Sequence, residues 1–437
     1  MVRDTAVVTA ASVVVAMAVL LREAAIASHF GVSDITDAFV LASSTMAFLT
    51  SVIGGSLASS LIPVVLRVEA SAGPTAAECL CREVLARMLL GALVIGIVIG
   101  FFSESVVAAL GSDFSPDKRN LTRGLLVTML PLIPVAVWGA YATAILQSQR
   151  HFFFSSLAPA MIPFVTVLAV QVLPFTSPHA LAVSVVLGYA GQFLLLAATL
   201  KSRGIRWLLP KWSGTKPEEM GKVFEQYLPL ITGAVLMGST TIIDQAMAGM
   251  LGPGSVATFA FATVLVNYLN AFGGRTLGIP ALSHFSRLVA LGDWGGASGL
   301  MWRTLVIVGG AASVLTVLVW VFSDWLTAQV FERGAFNKAD TARVALVQQY
   351  YALQLSFQFV GIVLVRMLSA LGENSKILAV ATLNFAVNIA LNYLLMSKLG
   401  VAGIALSTSL VMCLSSLLCA VLVWRSLNAR LVRERSV

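Results

Sequence analysis

The sequence predicts an all-α, polytopic membrane protein: about twelve transmembrane helices, in two six-helix parallel repeats around a central cavity. Three observations predict it. Of 437 residues, 58% are hydrophobic and 11% are charged, whereas soluble domains carry about 25% charged residues. The apolar runs are continuous and about 20 residues long, the length of a helix crossing the hydrocarbon. They lack the alternation of membrane-barrel strands. Matching motifs also recur about 220 residues apart.

The spans are centred near residues 17, 50, 95, 135, 165, 190, 236, 270, 314, 357, 385 and 412. Polar or Gly/Pro-marked breaks separate them, as at 30–34, 112–120, 147–151 and 251–254. The first run follows Arg3 and continues to Ile26 without a convincing cleavage site, so it reads as a retained helix rather than a signal peptide. The longest hydrophilic stretch, 201–222, holds six basic residues and the amphipathic "IRWLLPKW", expected to lie on the membrane surface. It divides the chain into an N-terminal bundle (1–201), a basic linker (202–222), a C-terminal bundle (223–426) and a basic tail (427–437).

The net charge of +8 reports orientation here, not nucleic acid. With the N-terminus in the cytoplasm, about 18 basic residues fall on the inner side and about 7 on the outer, Lys118 among the latter. Both termini are then cytoplasmic. Three arginines remain within spans: Arg22, Arg275 and Arg366. Arg366, near a span end, reads as a snorkelling residue. Arg22 and Arg275 are expected to face a cavity or a carboxylate, because charge exposed to lipid at depth is costly.

The repeat is visible in several places. "FFSESVVAAL" (101–110) ends the third span and "VFSDWLTAQV" (321–330) the ninth. Gly54-Gly55 precede Pro63 in the second span, as Gly273-Gly274 precede Pro280 in the eighth. "ILQSQRHF" corresponds to "ALGENSKI". Six spans per copy give both copies one orientation, with cargo expected between them and rocking as the transport motion. The paired glycines allow close helix approach, and the prolines permit bending; static packing is the alternative.

A polar group marks the second half: Asp244, Asn388 and Asn392 one turn apart on a shared face, and Thr408. Such oxygens suit a hard cation, or they form an interhelical hydrogen-bond cluster. The four cysteines and four histidines show no zinc spacing. The chain contains no G-x-x-x-x-G-K-[ST] and no nucleophile–base pair, so an enzyme is not expected.

"REAAIASHFGVSDITDAFVLA" (22–42) resembles the signature of the MurJ/MviN lipid II flippase family, part of the multidrug/oligosaccharidyl-lipid/polysaccharide exporter superfamily. "IIDQAMAGMLGPGSVATFAFA", "VFERGAFNKADTARVA" and "RMLSALGENSKI" resemble its later junctions. The resemblance implies a flippase of the bacterial inner membrane, moving an undecaprenyl-pyrophosphate-linked saccharide outward by alternating access. The cargo would be lipid II or a related lipid-linked oligosaccharide. It also implies membrane lipids and cell-wall or exopolysaccharide synthesis proteins as partners, and no nucleic acid. No cofactor is implied beyond Na+ or H+ coupling; some members use a sodium site at positions comparable to the Asp244 group. Arg22 and Asp37 match the family's arginine and aspartate. They are expected to pair near the outer mouth, with Arg22 gripping phosphate. Further family arginines would fall at or near Ala16, Phe48, Leu49 and Val264, all apolar here. Arg275 is an extra cation. A multidrug or small-cation exporter of the same superfamily, or a non-transporting scaffold, are the competing expectations.

Overall fold

The computed structural model describes the backbone of residues 2–149, 151–172, 177–205, 209–212 and 217–435. Within these, the side chains of 2–7, 58, 217, 237, 275, 279, 280 and 432–435 lie outside the description. Among the described residues every regular element is helical. In order these are α1 (Val2–Phe30), α2 (Asp34–Ala72), α3 (Pro74–Phe101), α4 (Ser103–Leu110), α5 (Pro116–Met129) and α6 (Leu132–Ser148). Then come α7 (Phe152–Leu157), a 3-10 turn, α8 (Met161–Val172), α9 (Pro178–Ser202) and α10 (Pro217–Gly249). The remainder are α11 (Ser255–Ala290), α12 (Trp294–Val321), α13 (Ser323–Phe331), α14 (Lys338–Ala352), α15 (Gln354–Ala370), α16 (Asn374–Leu399) and α17 (Val401–Arg435).

Among the described residues, eleven helical stretches are long and apolar enough to cross a membrane, and up to twelve if α5 and α6, bent by 42° at their junction, form one span. Pro131 at that junction offers no N–H to continue the hydrogen-bond ladder. The expected spans coincide with α1, α2, α3, α5–α6, α7–α8, α9, α10, α11, α12, α14–α15, α16 and α17. Their outer faces stay apolar: Ile97 and Phe101 on α3 and Trp302 and Val306 on α12 are exposed. Backbone groups there are satisfied within the helix, the condition for a stable segment in lipid.

Local chemistry sets the element ends. Gly31, at φ +58°, closes α1. Ser33 is extended, its hydroxyl accepts from the Thr36 N–H, and α2 opens with Asp34 and Asp37 against the positive helix end. Gly73, at φ +84°, ends α2, and Pro74 starts α3. Asn337 and Asp340 form a reciprocal capping box at α14.

Packing divides the chain into residues Met1–Ile242 and Ile243–Val437. The division falls inside α10, later than the linker at 202–222. The early part of α10 packs with the first unit: Tyr227 donates to the Ile53 carbonyl at 2.6 Å, and Gly238 faces the Phe48 ring. The segment expected as a tail, 427–437, continues α17 as helix to Arg435. In the linker, residues 206–208 of "IRWLLPKW" lie outside the described set. The rest is tied to α3, with Arg82 donating to the Leu209 carbonyl at 3.0 Å and Arg87 over the Trp212 ring at 5.8 Å.

The two units repeat one another in local geometry. α3 and α12 are each 28 residues and stop at phenylalanines of matching conformation: Phe102 at φ −94°, ψ 16° and Phe322 at φ −94°, ψ 11°. The short α4 and α13 follow, each starting with a buried serine. Ser323 donates to the Ala345 carbonyl at 2.9 Å, while Ser103 accepts from Arg123 Nε at 3.2 Å. α6 and α15 are both 17 residues long.

Candidate functional site

The first unit carries two charged groups near the junction of α1 and α2. Arg22 sits on α1 with its side chain 24% exposed, and its Nε donates to Glu23 Oε1 at 3.1 Å. Glu23 is buried. The guanidinium is therefore paired with the carboxylate next to it on α1.

Asp37 lies one turn into α2, fully buried. Its ion-pair partner is Lys118 in the first turn of α5, with Nζ 2.6 Å from Asp37 Oδ2 and 2.6 Å from Asp34 Oδ1. The same ammonium sits over the Phe114 ring at 4.1 Å. Two carboxylates and an aromatic face surround one buried cation, which fastens α5 to the start of α2. The sequence pairs Arg22 with Asp37; the structure supplies Glu23 to Arg22 and Lys118 to Asp37. Neighbouring helical residues point about 100° apart, so the sequence alone does not pair Glu23 with Arg22. By its position between spans, Lys118 reads from the sequence only as an outer-side cation reporting orientation.

In the second unit, Asp244, Asn388, Asn392 and Thr408 come together and are all buried. Asn392 Nδ2 donates to Asp244 Oδ1 at 2.6 Å and to Asn388 Oδ1 at 3.3 Å. Thr408 donates to Asp244 Oδ2 at 3.3 Å. Ser407, which sequence reasoning missed, donates to Asn392 Oδ1. Among the described residues, Asn388 Nδ2 has no hydrogen-bond partner. Carboxylate, amide and hydroxyl oxygens thus converge where the Asn392 amide nitrogen donates. With Nδ2 inward, the amide satisfies Asp244 itself. With Oδ1 inward, it would add another oxygen to a donor set of the kind a hard cation takes. The residues present fit such an ion in the second orientation.

The paired glycines divide their work the same way in both units. A Cβ on Gly54 would lie 2.9 Å from Ala140 Cβ on α6, and one on Gly273 would lie 2.4 Å from the Phe359 ring on α15. Gly55 and Gly274 would meet nothing within 4 Å. The first glycine of each pair is a packing position. α2 runs unbroken through Pro63, and α11 through Pro280. Arg275 lies on α11, its side chain outside the described residues. Arg366 of α15, expected to snorkel, lays its guanidinium over Gly278 of α11. Phe48, where the family resemblance would put an arginine, is partly buried and packs its ring on Gly238.

A family model described as Lipid II flippase MurJ matches residues 26–435. The lipid II flippase MurJ of Burkholderia cenocepacia is 26% identical over 416 residues, covering 91% of this chain and 79% of that protein. A probable lipid II flippase MurJ of Synechocystis is 25% identical over 412 residues, covering 89% and 75%. A solved structure of lipid II flippase MurJ, inward closed, superposes with a TM-score of 0.81 at 19% identity, covering 98% of this chain and 90% of that one. An inward-facing multidrug resistance MATE transporter of the MOP superfamily gives 0.79 at 12% identity, covering 97% and 98%. These two likenesses show a shared fold. With the family model spanning nearly the whole sequence, this chain belongs to the lipid II flippase MurJ family.

Proposed function

We propose that this protein is a flippase that carries a polyprenyl-pyrophosphate-linked saccharide, lipid II or a related lipid-linked oligosaccharide, from the inner to the outer leaflet of the bacterial inner membrane. Membership of the MurJ family over residues 26–435 carries the reading. In the orientation that fits the distribution of basic residues, both termini face the cytoplasm. The protein acts as a transporter without covalent chemistry, and synthesis proteins for the cell wall or an exopolysaccharide supply its cargo. Depletion in the source cells is expected to trap a polyprenyl-diphosphate saccharide on the cytoplasmic face. Normal turnover of every such intermediate after depletion would overturn the reading.

Arg22 is the cation we assign to the cargo diphosphate. Planar guanidinium donors match paired phosphate oxygens, so a diphosphate can compete with Glu23 for them. Arg22→Lys keeps the charge and the Glu23 partner but loses the fork. Transport by the reconstituted variant is expected to fall on the order of ten-fold at normal accumulation. An unchanged rate would remove Arg22 from cargo recognition.

Coupling is assigned to the Asp244 group, which takes Na+ or a proton when the Asn392 amide turns its oxygen inward. The bound cation supplies charge compensation for Asp244. The chain's own part is to present Asp244, Asn388 and Thr408 oxygens from three helices. Asn392→Asp places a second carboxylate beside Asp244, and like charges in contact demand a cation. The sodium concentration that half-stabilises the purified protein is expected to drop at least about ten-fold in this variant. Melting of both proteins without response to sodium or pH would refute the assignment.

A further inference from the structure

In the second unit, the start of α16 and the later part of α17 border an open cavity of about 270 Å³ lined by Glu373, Lys376, Arg425, Ser426, Ala429 and Arg430. Most of its rim is braced. Ser426 donates to Glu373 Oε2 at 2.6 Å. Lys376 Nζ donates to the same oxygen at 3.0 Å and to Ser426 Oγ at 3.1 Å. Arg430 donates to the Leu371 carbonyl at 3.1 Å and lies over the Trp294 ring at 4.9 Å. Arg425 is exposed, and among the described residues it has no protein partner.

The charge is unbalanced. Burial raises the Glu373 carboxyl, but hydrogen bonds from Ser426 and Lys376 and the charges of Lys376 and Arg430 hold it below the ordinary glutamate value. It is therefore ionised at neutral pH and offsets only one of the three cations. α16 also opens here without a side-chain cap, and a helix start favours an anion.

The surroundings are apolar on one side. Trp424, immediately before Arg425, is 58% exposed, and Val421, one turn before Arg425 on the same helix, is exposed too. A free anion would need the cations alone. Cations bordered by exposed apolar and tryptophan side chains at a span end match a molecule with a phosphate and acyl chains.

We propose that this cavity binds the phosphate headgroup of an anionic phospholipid, gripped by Arg425, Lys376 and Arg430, with the acyl chains along Val421 and Trp424. In the orientation proposed for the termini, the lipid comes from the cytoplasmic leaflet. The site is separate from cargo movement and stands whether or not the cargo assignment holds.

The test uses the full chain in phosphatidylcholine nanodiscs, titrated with phosphatidylglycerol. Binding is read by native mass spectrometry and by melting temperature, with glycerol 3-phosphate as the soluble arm. Phosphatidylglycerol is expected to bind in preference to phosphatidylcholine, and glycerol 3-phosphate at the same concentration to leave the melting temperature unchanged. Arg425→Gln removes the cation that braces nothing, so its dissociation constant for phosphatidylglycerol should rise about five-fold. Arg425→Lys should bind as the parent does, as should Lys398→Gln at the opposite end of α16. Equal binding of the two phospholipids by the parent, parental affinity in Arg425→Gln, or saturation by glycerol 3-phosphate each overturns the proposal. The comparison within the parent decides the matter even if a variant folds poorly.

Discussion

Replacing Lys118 with alanine is expected to destabilise the protein by about 3–5 kcal/mol, because it strips the ammonium from a buried carboxylate. Asp37 is fully buried, Asp34 is half-exposed, and Lys118 is 5% exposed between them. Asp34 can recover water when the lysine is lost. Asp37 cannot, and the ion pair that fastens the start of α2 to α5 is lost with the lysine. Desolvation makes the intact triad itself a modest contributor, so the size of the effect comes from breaking it. The double variant Asp37→Leu, Lys118→Met removes both charges and should regain most of the lost stability. Thermal melting of the three purified proteins in detergent checks this. A Lys118→Ala protein that melts with the parent would show that the triad does not hold α2 to α5.

Gly54→Ala should cost about 1–3 kcal/mol, whereas Gly55→Ala, one position along the same helix, should be neutral or stabilising by about 0.5–1 kcal/mol. The new methyl at 54 would press on Ala140 Cβ, which cannot move without the α6 backbone. The methyl at 55 meets open space and gains helix propensity. In the second unit the order is the same but the first penalty is smaller, since the atom in the way at Gly273 is the tip of the Phe359 ring, which can swing. Melting temperatures of the four alanine variants test the ranking. Equal values for positions 54 and 55 would sink the packing role. The matched behaviour of Gly54 and Gly273 also bears on bending: each first glycine holds two helices close, and neither needs a hinge to explain it.

How far the sequence reaches differs between helix and partner. The span positions and the duplicated motifs were readable because they depend on local chemistry. About 20 consecutive apolar residues have one stable backbone arrangement in hydrocarbon. Gly31, Ser33 and Pro74 mark helix ends through φ, a side-chain acceptor and a missing N–H, all within a few residues. The Asp244 group was partly readable, since Asn388 and Asn392 share a face by spacing alone.

The sequence by itself determined the membrane class, the spans, the doubled plan and the family, because each rests on hydropathy, spacing or motifs along the chain. Only the tertiary structure decided which charges meet. Lys118 reaches Asp37 across 81 positions, and Asn392 reaches Asp244 across 148. Each successive helical residue turns about 100° around the axis. A charge therefore finds its partner only when the rotation and packing of both helices are set, and the sum of all their contacts sets them.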